Sequence, residues 1–358
     1  MAVPHNQSSP RRGAFTTPRR AAFTLVELLV VILIISMLVG LLIAAVMPAI
    51  TTAKNAQVQL EIDQIAAKIA DYRSENGNYP PSFALTDDTS TSGVVENEAL
   101  VMRHVAQRWP RYLRDPNADG TFDFLDFEED VRLATDPATQ MNGLAAPLEV
   151  DNLDQAEAIV FWLAGFPSLT TEIRTVGFSL NELNPFEGPE AQPQRTTRSF
   201  EFDPDRLEDR DGDGWWEYIP DATAATGDMP PYVYFDSTSY NASDPAEENL
   251  ASYPSELSGA IRGPAATTIW GVCWPLLRED HPLASGGLPN WYNSDKFQII
   301  YCGLDGAYSA SGASRPYPPS DTTEMVYPDG PFQDEELDNL SNMGEGTFAD
   351  ERDKHAHQ

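Results

Sequence analysis

Apolar and polar positions alternate in different ways along the first part of the chain. From Leu28 to Ile50 no residue is charged, and Leu, Val and Ile dominate. At about 1.5 Å per residue, such a run spans a hydrocarbon core of roughly 30 Å as a helix. After Pro48 the helical period continues with a narrower apolar face: Val58, Ile62, Ile65, Ile69 and Tyr72 recur in steps of four, three, four and three. That spacing makes one stripe on a helix whose other faces are polar. Asn76-Gly77 and Pro80-Pro81 then supply stop signals. The two halves predict one helix from Phe23 to about Asn76, on the order of 80 Å long. Pro48 removes one backbone hydrogen bond and should kink or loosen it, which a membrane helix tolerates.

Farther on, helix-period patterns occur at about Asn97 to Gln107 and at Leu153 to Leu163, the latter with Ala156, Ile159, Val160 and Leu163 on one face. Tyr232 to Phe235, Thr267 to Trp274 and Phe297 to Tyr301 are rich in β-branched or aromatic residues and bounded by Pro, Gly or Asp, which predicts strands. The fold class is α+β: a long N-terminal helix packed on a small antiparallel sheet, with loop-rich insertions. The 23 Gly and 29 Pro fit long irregular connections. The organisation reads as a leader over 1–22, a membrane part over 23–50 and an amphipathic part over 51–76. A head follows over 77–308, with an insertion at about 113–229, and then an acidic tail over 309–358 that reads as surface decoration.

Charge sharpens this division. Residues 1–22 hold Arg11, Arg12, Arg19 and Arg20 and no acid, whereas the whole chain of 358 residues carries 55 Asp+Glu against 23 Lys+Arg. The arginines should stay cytoplasmic, sending the head across the membrane. A secretory signal has a shorter apolar region ending in a small-residue cleavage site, whereas here Pro48-Ala49-Ile50 runs on into further helix. An acidic head repels polyanions, so no nucleic-acid partner is expected; divalent cations suit it better.

Glu27 stands at the start of the apolar run, where an ionised carboxylate in lipid costs a few kcal/mol, about 3 on insertion scales. The stretch RRAAFTLVELLVVILIISMLVGLLIAAVMPAI closely resembles the N-terminus of type IV prepilins and type II secretion pseudopilins. That resemblance implies a prepilin peptidase that cuts between Ala22 and Phe23 on the cytoplasmic side and methylates the new amine. It also implies that Glu27, fifth from the cut, meets the N-terminal amine of a neighbouring subunit. Such pairing makes a buried carboxylate tolerable; the alternative is an acid in the headgroup layer, favoured by the helix dipole. This chain has Ala22 where the family usually has Gly. YRSENGNYPPS, PPYVYFDS and DKFQIIYCGLDG also resemble the helix end, strands and following loop of pseudopilin heads. The implied partners are other pilin or pseudopilin subunits, the prepilin peptidase and the assembly platform of the inner membrane.

Two stretches spell oxygen-ligand loops. DPNADGTFDFLD places Asp115, Asn117, Asp119, Thr121, Asp123 and Asp126 at positions 1, 3, 5, 7, 9 and 12 of a calcium loop, with Gly120 at the turn. The alternative is an acidic turn held by Asx hydrogen bonds. In DRDGDGWWEYIP, Asp209, Asp211, Asp213 and Glu217 offer a second set, but Pro220 occupies the closing position, which favours the acidic turn. By resemblance to major pseudopilins, Asp305 begins a calcium loop after the last strand, with Asp338 the most tempting additional ligand. Calcium is the expected cofactor.

No catalytic pattern accompanies these. His104 and His281 are the histidines available to the head, and neither makes a metal-ligand spacing. There is no His-Glu-x-x-His helix, Gly-x-Ser-x-Gly elbow or phosphate-cradling glycine loop, so a structural subunit rather than an enzyme is expected. Cys273 and Cys302 either bridge adjacent strands in an oxidising compartment or remain two buried thiols. Three roles stay open: a subunit of the filament body, a minor or tip pilin, and a membrane-anchored calcium-dependent binding protein.

Overall fold

The computed structural model describes residues 23–83, 94–116, 120–140, 144–168, 174–188, 194–221, 229–237, 273, 275–278, 291–308, 326–330, 332 and 334–357. Two compact units, 1–50 and 51–358, divide the chain. Helix α1 (Leu25–Asn76) contributes to both and includes Pro48. In the first unit every described residue is solvent-exposed, the run of Leu, Val and Ile included. Among the described residues of this unit nothing covers the apolar surface, which a lipid environment would cover.

In the second unit α1 buries the predicted stripe: Val58, Ile62, Ile65, Ile69 and Tyr72, together with Gln59. The stripe packs into one core with the three-stranded antiparallel sheet β3-β4-β5. Strands β3 (Val233–Asp236) and β4 (Phe297–Tyr301) pair with Val233 opposite Ile300 and Asp236 opposite Phe297. Every residue of both is buried, so the sheet is covered on both faces. Strand β5 (Leu340–Ser341) pairs with the other side of β4. The Gln59 amide donates to the Ser341 carbonyl (3.0 Å), tying α1 to this edge. The sequence places residues 309–358 on the surface. The structure instead puts Leu340 and Phe348, the first residue of α5 (Phe348–Ala356), in the core, so the end of the chain completes the sheet.

The remaining helices are α2 (Val94–Arg108), α3 (Phe124–Thr135) and α4 (Ala158–Ala164). The last is shorter than the periodicity from Leu153 predicts. The Asp154 carboxylate accepts from Ala156 N (2.7 Å) and the Glu157 carboxylate from Asp154 N (3.1 Å). These side chains offer the backbone a turn in place of another helical turn. A short hairpin, β1 (Leu207–Glu208) with β2 (Glu217–Tyr218), sits between α4 and β3 in sequence. The region read as an insertion holds much of the core, with Phe161, Trp162, Phe178 and Phe186 in edge or stacked contact with one another and with Trp109, just after α2 (Val94–Arg108). The predicted strand from Thr267 to Trp274 lies outside the described residues except for Cys273.

Two polar clusters join α1 to the head. Glu61 receives Arg206 Nη1 (2.7 Å) and Nη2 (2.5 Å) and the phenols of Tyr218 (3.0 Å) and Tyr232 (2.6 Å). About three turns farther along α1, the Tyr72 hydroxyl meets His104 Nε2 (2.7 Å) and accepts from Arg108 Nη1 (2.6 Å). Burial, then the Arg108 charge, lowers the His104 pKa to about 3, so the ring is neutral.

Candidate functional site

The N-terminal segment is built by a cap. Thr24 precedes α1 and its hydroxyl accepts from Glu27 N (3.1 Å), occupying one of the orphan donors of the first turn. Thr-Leu-Val-Glu is the spelling of a capping box, a signal the apolar run overshadows. The cap fixes where the helix starts, two residues beyond Phe23, and puts Glu27 in the first turn. Phe23 is exposed, and Ala22 lies outside the described residues. Along the apolar run, the Ser36 hydroxyl donates back to the Ile32 carbonyl (2.7 Å), so its polar group is satisfied within the helix.

The Asp115–Asp126 stretch orders its second half by local bonds. Asp115 accepts from Gly120 N (2.9 Å), and Gly120 has φ +88°, a conformation that favours glycine. The Thr121 hydroxyl donates to Asp123 (3.0 Å). Asp123 caps α3, and Asp126, fully buried, accepts from Asp123 N (3.1 Å), completing a capping box. Asn117 and Asp119 lie outside the described residues.

The second acidic stretch is a tight turn seated on a buried floor. Asp209 accepts from Gly212 N (2.8 Å), Asp211 from Asp213 N (3.3 Å) and Asp213 from Trp215 N (2.9 Å). Gly212 and Gly214, with φ +84° and +98°, let the turn close this tightly. The Trp215 indole donates to the Glu149 carbonyl (2.9 Å) and that of Trp216 to the Arg174 carbonyl (2.8 Å), fixing the turn against segments on either side of α4 in sequence. This brings in Glu157, a residue the sequence reading did not single out. One carboxylate oxygen from each of Glu157, Asp211 and Asp213 lies within 4.8 Å of the others. Glu217 turns elsewhere, accepting from Arg210 N (2.7 Å), and Asp209 is not in the group. Burial, then Asp154 and the other acids, raises the Glu157 pKa well above its usual range. Burial also lifts Glu217 to about 10 and Asp213 to about 7, with neighbouring carboxylates adding to each.

Asp305 and Asp338 are brought together: Leu304 N (2.8 Å) and Asp305 N (3.1 Å) both donate to Asp338. Burial, then the Asp338 charge, raises Asp305 to about 6. Cys273 and Cys302 are both buried free thiols, and the Cys302 Sγ contacts the Gly303 carbonyl at 3.7 Å.

Residues 17–43 match the family described as the prokaryotic N-terminal methylation motif. With the long apolar helix, this motif fits the type IV pilin and pseudopilin family. The matched stretch holds Ala22, Phe23 and Glu27 and ends within the first unit. No curated protein and no solved structure matches the chain. The motif supports membrane anchoring, and it implies processing by a prepilin peptidase and assembly with other pilin-like subunits.

Proposed function

We propose that the chain is a structural subunit of a type II secretion-like or type IV pilus-like filament, held through its N-terminal helix. The observation that carries this reading is the methylation motif lying on an apolar helical run that is exposed throughout residues 23–50 and capped by Thr24, directly after Phe23. An uncovered apolar helix of this length needs lipid before assembly and neighbouring helices after it. Cleavage between Ala22 and Phe23 would free an amine next to the capped turn, and Glu27 of one subunit would pair with the amine of the next. The arginine leader stays cytoplasmic and the acidic head is extracytoplasmic. The inner-membrane assembly platform is the further partner.

The loop from Asp115 to Asp126 is proposed as a calcium site of this head. The positive φ of Gly120 at the turn position and the register of Asp115, Thr121, Asp123 and Asp126 support it. Asp115→Ala should weaken a calcium response of the full chain, whereas an unchanged titration would return the loop to an acidic turn.

The test of the filament role is to follow a tagged full-length chain in cells that assemble such filaments. Wild type should enter filaments and crosslink to its neighbours. Glu27→Ala should insert in the membrane as well as wild type yet assemble poorly, because insertion needs only the apolar run. Equal filament yield from the two would return Glu27 to an ordinary interfacial acid. A wild-type chain that stays dispersed in the membrane would favour the anchored binding protein.

A further inference from the structure

The filament role leaves one buried group of the head unused. Glu157 is only 1% exposed, its Oε2 accepts from Asp154 N (3.1 Å), and its Oε1 has no hydrogen-bond partner. Asp213 is half-buried, with one oxygen accepting from Trp215 N and a buried Oδ2 that has no partner. Leaving carboxylate oxygens buried without a partner is costly, and an acidic turn that merely meets solvent would expose them instead.

We infer that Glu157, Asp211 and Asp213 form a binding site for one divalent cation of the calcium class, which ties the segment before α4 to the 209–214 turn. Calcium–oxygen distances are roughly 2.3–2.6 Å, so two ligands on opposite sides of one ion stand about 5 Å apart. The three oxygens, all within 4.8 Å of one another, are therefore close enough to share one ion. The donors are all carboxylate oxygens, which suits a hard cation and disfavours zinc or copper. Trp215 and Trp216 hold the turn by indole hydrogen bonds to Glu149 and Arg174, so the ligands are positioned before an ion arrives. The set differs from the one the turn spells: Asp209 and Glu217 are engaged with Gly212 N and Arg210 N, and the third ligand comes from another segment. A bound ion would also neutralise the mutual repulsion of these acids.

The test uses the full-length chain in detergent micelles, stripped with a chelator and titrated with calcium. Calorimetry and the melting of the tryptophan signal report binding. Wild type should bind and melt higher with calcium, and Glu157→Gln should bind at least about tenfold more weakly, since affinity follows ligand charge. Without calcium, Glu157→Gln should melt above wild type, because an amide avoids the cost of burying an acid beside other carboxylates; a ligand with no role at an ion would not produce this crossing. Asp213→Asn, which keeps the Trp215 contact, should weaken binding likewise and serves if Glu157→Gln does not fold. Asp115→Ala in the other loop should leave this site intact. Calcium that stabilises Glu157→Gln and Asp213→Asn as much as wild type would overturn the site, as would a wild type indifferent to millimolar calcium. Magnesium binding as tightly as calcium would overturn the assignment to the calcium class.

Discussion

Replacing Glu61 with Ala tests how the amphipathic half of α1 is fastened to the head. The Glu61 carboxylate takes four hydrogen bonds, two from Arg206 and one each from Tyr218 and Tyr232. Both charged partners are 17% exposed, so solvent screens the pair only partly. Breaking a buried pair by removing one partner costs about 3–5 kcal/mol. The residual exposure lowers this, while two phenols left without an acceptor add about 1 kcal/mol each if they find no water. We take about 3 kcal/mol as the expected loss. For a unit of this size, about 2–4 °C per kcal/mol gives a drop in melting temperature of roughly 6–12 °C. Near-ultraviolet circular dichroism of the full chain in micelles reads the head directly. Glu61→Gln, which keeps the shape and loses the charge, should fall between Ala and wild type. The double variant Glu61→Ala with Arg206→Ala should lose less than the sum of the singles by about 0.5–3 kcal/mol. A Glu61→Ala chain within about 0.5 kcal/mol of wild type would refute the reasoning, since surface substitutions cost no more than that.

Other expectations follow from single contacts. His104, with Tyr72 and Arg108 facing it, has its pKa lowered to about 3 from an ordinary value near 6.5, so the unfolded chain binds the proton first. Its contribution to stability is present above about pH 6.5 and lost as pH falls toward 3, at up to about 1.4 kcal/mol per pH unit. Acids such as Glu128, lifted to about 7 by burial and neighbouring carboxylates, titrate in the same range with the opposite sign. The measurement is therefore the difference between wild type and His104→Phe between pH 5 and 6.5, and equal slopes would contradict it. Ile65→Ala, at the centre of the buried stripe, should cost about 2–5 kcal/mol in denaturant unfolding, against little for exposed Leu60→Ala. For Cys273 and Cys302, thiol labelling of protein denatured before and after reduction separates the two forms. Equal labelling supports the buried thiols of the structure, and labelling that appears only after reduction supports the bridge.

The chain shows unevenly in its sequence what it does in space. The α1 stripe was legible because burial on one helical face writes a period of 3.6 residues, and all five predicted positions are buried. Strand β4 was legible from Phe297 to Tyr301 because both its faces are covered, leaving an unbroken apolar and aromatic run apart from Gln298. Helix α3 was hidden because its start, Asp123 to Asp126, reads equally as metal ligands and as a capping box. Strand β5 is two residues among acids, too short to write any period, and only its pairing with β4 reveals it. The methylation motif over residues 17–43 was legible because its signal lies in consecutive residues. The Glu157 cluster was not, because Asp211 and Asp213 spell only part of it and the third acid arrives through tertiary packing.

The proposed filament role depends most on the N-terminus, and mass spectrometry of the mature protein's first peptide addresses it directly. In cells with an active prepilin peptidase, that peptide should begin at Phe23 and carry one additional methyl group on its amine. Ala22→Gly should yield the same peptide at least as fast. A mature protein that retains Met1 and the arginine leader, or one cut beyond Ile50, would contradict the filament reading.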